Sequence, residues 1–243
     1  MSKVFEIKYG QKETSVNINS LGMRDMQARV YEKRNSQHLL VKAPPASGKS
    51  RALMFVALDK LNNQGIKKVI IAVPERSIGK SFKSTKLMQF GYYWDWVVKD
   101  DNNLTTVGSS QSKVKAFIDF IKSTDPSDDI LIVTHATFRY ATEYLDSSDF
   151  DNCLIAIDEF HHVSQEDNSV LGSTLRDILR NSTAHVFAMT GSYFRGDSVP
   201  ILEPTDEQLF DRVTYTYYEQ LEGYKYLKSF SMVYKFYRGQ YID

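Results

Sequence analysis

The stretch HLLVKAPPASGKSRALMFVALDKL, His38 to Leu61, decides how the rest of the chain is read. Leu39, Leu40 and Val41 are apolar on consecutive positions, as in a strand covered on both faces. A Pro-, Ser- and Gly-marked loop follows, and apolar residues at helical spacing then run to a stop signal at Gly65. Strand, tight loop and helix in that order is the setting in which backbone N–H groups and a helix N-terminus hold phosphate. Here Ala43, Pro44, Pro45, Ala46, Ser47 and Gly48 would wrap the phosphates of a nucleotide, Lys49 would neutralise them, and Ser50 would ligate Mg²⁺. A GKS triplet alone is common, and a plain strand–helix turn with Lys49 on the surface is the alternative. Ala43 and Ala46 stand where such loops usually carry glycine. Ala43 ends the strand and can keep ordinary β geometry. If Ala46 needs a positive φ, its Cβ costs roughly 1 kcal/mol, which Pro44 and Pro45 partly offset by restricting the loop beforehand.

Working outward, further apolar runs alternate with helical patterns: KVIIAVP, LTTVG, DILIVTH, CLIAIDEF and HVFAMTGS, with SKVKAFIDFIKS among the helices. This alternation predicts an α/β domain, a mostly parallel sheet with helices on both faces. Residues 1–20, which include the alternating VFEIKYGQKETSVNIN, are expected to form a separate N-terminal β-hairpin. The core domain is expected over 21–204, and the Tyr- and Lys-rich segment 205–243 is expected to lead towards a second domain, the alternative being a terminal strand and helix packed on the core. With 243 residues, 42% hydrophobic and 25% charged, the chain has the composition of a globular protein. Lys and Arg number 30, as do Asp and Glu, so any nucleic-acid binding must come from local placement of charge and backbone amides. The single Cys153 excludes an internal disulfide framework and favours a reducing interior. No run approaches a membrane span and no signal core appears, so a cytoplasmic protein without a membrane partner is expected.

Two further segments sit, like the loop, after apolar runs, where ligands of open α/β sheets bind. Asp158 and Glu159 end CLIAIDEF; in a phosphate-loop protein the first would hold the Mg²⁺ shell and the second would activate water. The alternative is a helix cap and a solvated carboxylate. Thr190, Gly191 and Ser192 follow HVFAM and could hydrogen-bond the acidic pair, although taken alone they are better read as an ordinary strand-end turn. His161 and His162 lack the spacing and company of a zinc site. The aromatic cluster GYYWDWVV could stack bases, but core packing suits Trp94 and Trp96 better.

APPASGKS, DEFH and TGS in this order resemble motifs I, II and III of superfamily 2 helicases and translocases of the DExH/DEAD type, the restriction-enzyme-like branch above all. The resemblance spans roughly Gly22 to Ser192 and implies a RecA-like ATPase domain using ATP and Mg²⁺. It implies that Gln27, within Arg24-x-x-Gln27, reads adenine, and that His161, with Thr190, Gly191 and Ser192, couples the nucleotide site to domain movement. Pro74 and Arg76 of AVPERS, Gly108 after LTTV, and Thr134 and His135 of VTHATF fall where relatives touch the nucleic-acid backbone. The partners implied are nucleic acid, DNA ahead of RNA, and a second RecA-like domain from the same longer chain, because no Gln-x-x-Gly-Arg-x-x-Arg pattern follows Ser192. As an isolated domain the chain is expected to bind ATP weakly and hydrolyse it very slowly. Two rivals remain open: a nucleotide-dependent nucleic-acid clamp without motor activity, and a P-loop phosphotransferase, which would want a lid with clustered arginines.

Overall fold

Strands whose residues are apolar on both faces need covering on both sides, and the structure, a computed structural model, supplies this with two helical layers. It describes residues 4–10, 17–75, 78–105, 110–160, 170–191, 204–223 and 229–235. Six strands form a parallel sheet: β2 (His38–Lys42), β3 (Lys68–Val73), β4 (Ile130–Thr134), β5 (Cys153–Ile157), β6 (His185–Thr190) and β7 (Asp211–Thr214), in the spatial order β4-β3-β5-β6-β2-β7. One face packs Val41, Ile71, Ala156 and Met189 against α1 (Asp25–Glu32) and α2 (Lys49–Asn63). The other packs Leu40, Ile70, Ile155 and Ala188 against α3 (Ser110–Lys122), α4 (His135–Thr142) and α5 (Val170–Asn181). This is the α/β architecture expected. Among the described residues no helix is long and apolar enough to cross a membrane.

α2 is buried from Ala52 to Lys60, including its polar residues. Lys60 Nζ donates to Ser36 O at 2.8 Å and to Gln64 Oε1 at 3.2 Å, and lies 2.8 Å from His185 Nδ1. Burial pushes its pKa down to about 8, and burial together with Lys60 pushes His185 down to about 4. The far end of α2 is thereby tied to the strands, which fixes the position of its N-terminus at the loop.

The structure differs from two local expectations, and a third falls largely outside the described residues. β1 (Val4–Gly10) pairs antiparallel with β8 (Ser229–Lys235), from Val4 opposite Lys235 to Gly10 opposite Ser229. Its described partner is thus the far end of the chain; residues 11–16, where an adjoining hairpin arm would lie, are outside the described residues. The main sheet extends beyond 204, because β7 pairs with β2 as its edge strand. Of LTTVG only Leu104 and Thr105 lie among the described residues, where they form a turn; the rest lies outside. Asn103 makes an isolated bridge to Ile132, and Leu104 is buried in the core from a turn. Two short helices, α6 (Pro204–Glu207) and α7 (Tyr217–Gly223), flank β7.

Candidate functional site

β5, β6 and β2 are neighbours in the sheet, so the loops leaving their C-terminal ends meet. After β2, Ser47 N donates to Pro44 O at 3.3 Å and Ala46 has a φ of 62°. A proline second and a positive φ third is the pattern of a type II turn, whose third position normally belongs to glycine. Ala46 therefore occupies the conformation in which a Cβ costs free energy. Ala43 does not: its N donates to Thr190 O at 3.1 Å, continuing the β2–β6 pairing. Gly48, at a φ of 96°, caps α2, and a Cβ there would lie 2.5 Å from Gln27 Nε2.

Lys49 begins α2 and is buried. Its Nζ donates to the carbonyls of Ala43 at 3.0 Å and Pro44 at 3.2 Å. Burial lowers its pKa, opposed by Glu159 and Asp158. Asp158, buried after β5, donates its N to Ala72 O at 2.9 Å, and its Oδ1 accepts from Glu159 N at 3.0 Å. Burial, then the Glu159 charge, pushes its carboxyl up to about 6. Glu159 is held at a φ of 48°, and its Oε2 accepts from Gly191 N at 3.2 Å. A Cβ on Gly191 would sit 3.2 Å from Lys49 Nζ, 3.5 Å from Glu159 Oε1 and 3.6 Å from Pro45 Cδ. One small residue thus marks the point where the three motifs meet. Ser50 follows Lys49 in the helix, half-buried, and Thr190 is fully buried at the end of β6.

These residues suit a nucleotide and a hard cation. Ser47 Oγ is buried and has no hydrogen-bond partner among the described residues, an unmet capacity of the kind a phosphate oxygen satisfies. Asp158, a single buried carboxylate with a raised pKa, together with the Ser50 hydroxyl, matches the oxygen ligands Mg²⁺ takes beside phosphates.

Gln27 is buried on α1 beside this loop. Its Oε1 accepts from Arg24 N at 2.9 Å and its Nε2 donates to Gly48 O at 3.3 Å, so Arg24 and Gln27 link the start of α1 to the start of α2. Pro74 after β3, and Thr134 and His135 at the β4–α4 junction, lie on the other side of β5 from the phosphate loop. Thr134 also has a structural role, since its Oγ1 accepts from Thr137 N at 3.2 Å as the N-cap of α4. Arg76, Gly108, His161 and Ser192 lie outside the described residues. Trp96 is fully buried, its Nε1 donating to Phe82 O at 2.9 Å, as the core-packing reading of the aromatic cluster requires.

Sequence reading missed the polar contact that α7 makes with the loop. Gln220 Nε2 donates to Pro45 O at 3.1 Å, across 175 positions of sequence. Glu219, one residue earlier, bonds Arg29 of α1 at 2.6 Å. The Tyr-rich composition of this segment is its one local signal, and no local pattern marks a polar contact across such a separation.

The DEAD/DEAH box helicase family model matches residues 24–195. A Bacillus subtilis (strain 168) protein named "Putative ATP-dependent helicase YeeB" is 63% identical over 243 residues, which is all of this chain and 40% of that protein. The Pyrococcus furiosus Hef helicase domain superposes with a TM-score of 0.51 at 18% identity, over 79% of this chain and 37% of that one. The DUF1998 helicase MrfA bound to DNA and AMPPNP gives 0.53 at 14% identity, over 87% and 31%. At those identities the two structures speak for the fold, a RecA-like helicase domain.

Proposed function

The chain belongs to the DEAD/DEAH box helicase family, and from that premise we propose that it is the first RecA-like ATPase domain of a nucleic-acid helicase or translocase, completed by a second RecA-like domain. The observation that carries the reading is the convergence of Lys49, Glu159 and Pro45 around Gly191, with Asp158 bonded to Glu159 N and its charge acting on Lys49. Lys49 now rests on two neutral carbonyls. A phosphate offers it a charged acceptor, and such bonds are roughly twice as strong as neutral ones. The N–H groups at the start of α2 and the Ser47 hydroxyl add donors. Mg²⁺, held by Ser50 and Asp158, would supply charge neutralisation at the phosphate oxygens. Glu159 orients the attacking water and takes its proton as the water oxygen bonds the γ-phosphorus and the bond to the β-phosphate oxygen breaks. Because Glu159 also holds Gly191 N, turning towards water loosens the loop after β6, which is the coupling proposed for Thr190, Gly191 and Ser192. Gln27 reads adenine with the amide capacity that Arg24 and Gly48 leave over.

The nucleic acid is proposed to run past the ends of β3 and β4, along Pro74, Arg76, Gly108, Thr134 and His135. Exposed Lys80, Lys83 and Lys86 follow β3 and add local positive charge to a chain with none to spare overall. The solved MrfA relative is bound to DNA, which supports a nucleic-acid partner with DNA ahead of RNA. The rival clamp without turnover draws on the strained Ala46, while intact Glu159 favours hydrolysis. The test is slow phosphate release from ATP with single-stranded DNA or RNA added. Glu159→Gln should lower it by at least about 100-fold with nucleotide affinity retained. Release unchanged in Glu159→Gln would remove Glu159 from the reaction.

A further inference from the structure

We propose that Gln220 is a positioning residue that locks the phosphate loop in its nucleotide-binding shape and makes alanine tolerable at position 46. The inference rests on the nucleotide reading above and deepens it. The bond from Gln220 Nε2 ends on Pro45 O, the carbonyl of the peptide joining Pro45 to Ala46. That peptide is the middle one of the Pro44–Ser47 turn, and its orientation is what separates a type II turn from a type I turn. In the type II pattern Ala46 has its observed φ of 62°; with the peptide turned over, the third position takes a φ near −90°, which any L-residue accepts. An alanine loop left to itself therefore relaxes towards the turned-over form, whereas glycine would not need to. A strained residue persists only where its surroundings over-determine it, and Gln220 is the described side chain that grips this peptide.

The placement of Gln220 suits such a lock. Its side chain belongs to a residue 2% exposed, and its Oε1 has no partner among the described residues. A buried amide with an unmet acceptor costs stability that an apolar side chain of the same size would not, so core packing alone does not favour glutamine here. The helix that carries it is fixed on both sides. Tyr215 N donates to Lys42 O at 2.8 Å, Glu219 N donates to Thr216 Oγ1 at 3.1 Å, and Glu219 bonds Arg29. The turn's shape is thereby tied to the segment that follows β7.

The test is a double-mutant cycle in the 243-residue chain between Gln220→Met, which keeps the volume but cannot donate, and Ala46→Gly. Affinity for a fluorescent ATP analogue with Mg²⁺ should fall about tenfold on Gln220→Met with Ala46 present, the size of one left-handed penalty. With Ala46→Gly in place the fall should be less than about twofold, because glycine adopts the bound turn without that penalty. Urea unfolding without nucleotide should show coupling of the opposite sign. Losing Gln220 costs more stability in the Ala46→Gly background, since beside Ala46 the freed peptide sheds its strain by turning over. Equal loss of affinity in both backgrounds, or none in either, overturns the proposal, as does an additive stability cycle. If the folded chain binds no nucleotide but the stability cycle is non-additive, the lock stands and the nucleotide reading fails.

Discussion

Asp158 is a carboxylate kept where apolar packing makes its charge expensive, with the Glu159 charge beside it and an attraction to Lys49 too small to offset both. Its pKa is raised to about 6, so the folded chain binds a proton that the unfolded chain releases nearer 4. A raised acid favours the fold below the unfolded pKa, and that advantage is lost as pH rises through about 6. Asp158→Asn removes the charge and should therefore stabilise the nucleotide-free chain at pH 7 by on the order of 1–3 kcal/mol, while removing Mg²⁺-dependent nucleotide binding. The gain should shrink between about pH 6 and pH 4 and vanish below. Urea unfolding across that range checks it, and a variant less stable than wild type at pH 7 contradicts it. Ala46 and Glu159 add positive φ values of 62° and 48° to the same small volume. Strained backbone gathered where the motifs meet supports the site proposed here. At this scale the sequence is legible in placement: β5 immediately before them places Asp158 and Glu159, and the loop after β2 places Lys49 and Ser50 at the start of α2. Even the conditional cost at Ala46 follows from the sequence. Gln220 does not, because its contact is made across the fold.

Elements are legible in proportion to how local their causes are. β2, its loop and α2 carry their own apolar pattern and stop signal, and the structure has a strand at His38–Lys42 and a helix at Lys49–Asn63. β7 is short, and only Val213 of its four residues is buried, so its polar sequence DRVT gives little sign of membership in the sheet. β1 alternates as a hairpin arm would, and nothing in alternation says whether the partner lies nearby or at Ser229–Lys235. Leu104 reads as strand because it is apolar, yet a buried turn satisfies it equally. α2 depends on more than its apolar surface, since Lys60 ties its C-terminal half to Ser36 and His185. With a folded pKa of about 8, the unfolded chain binds more protons at Lys60 between about 8 and 10.5, so this residue's contribution to stability rises with pH over that window. The stability of wild type relative to Lys60→Met should therefore climb from about pH 8 to pH 10.5. A flat difference measured by denaturant unfolding would mean that Lys60 is not the desolvated base described here.

For the whole molecule, the parallel sheet would keep the two proposed roles apart along one edge: the proposed nucleotide residues follow β5, β6 and β2, while Pro74, Thr134 and His135 of the proposed nucleic-acid path follow β3 and β4. β5 lies between them, and its loop carries Asp158 and Glu159, so the acidic pair adjoins both regions. On the proposed function, such an arrangement would let hydrolysis and strand contact influence each other through a single loop. The chain spans 40% of its B. subtilis relative, which leaves room in a longer protein for the second domain proposed here. All of this depends on the loop after β2 being a working nucleotide site in spite of its alanine turn. The most direct measurement is titration of a fluorescent ATP analogue with Mg²⁺ into the chain and into Lys49→Ala, with folding of both verified by circular dichroism. Saturable binding that Lys49→Ala abolishes is the predicted result. No saturable binding by the folded chain, or binding that survives Lys49→Ala, would contradict the account.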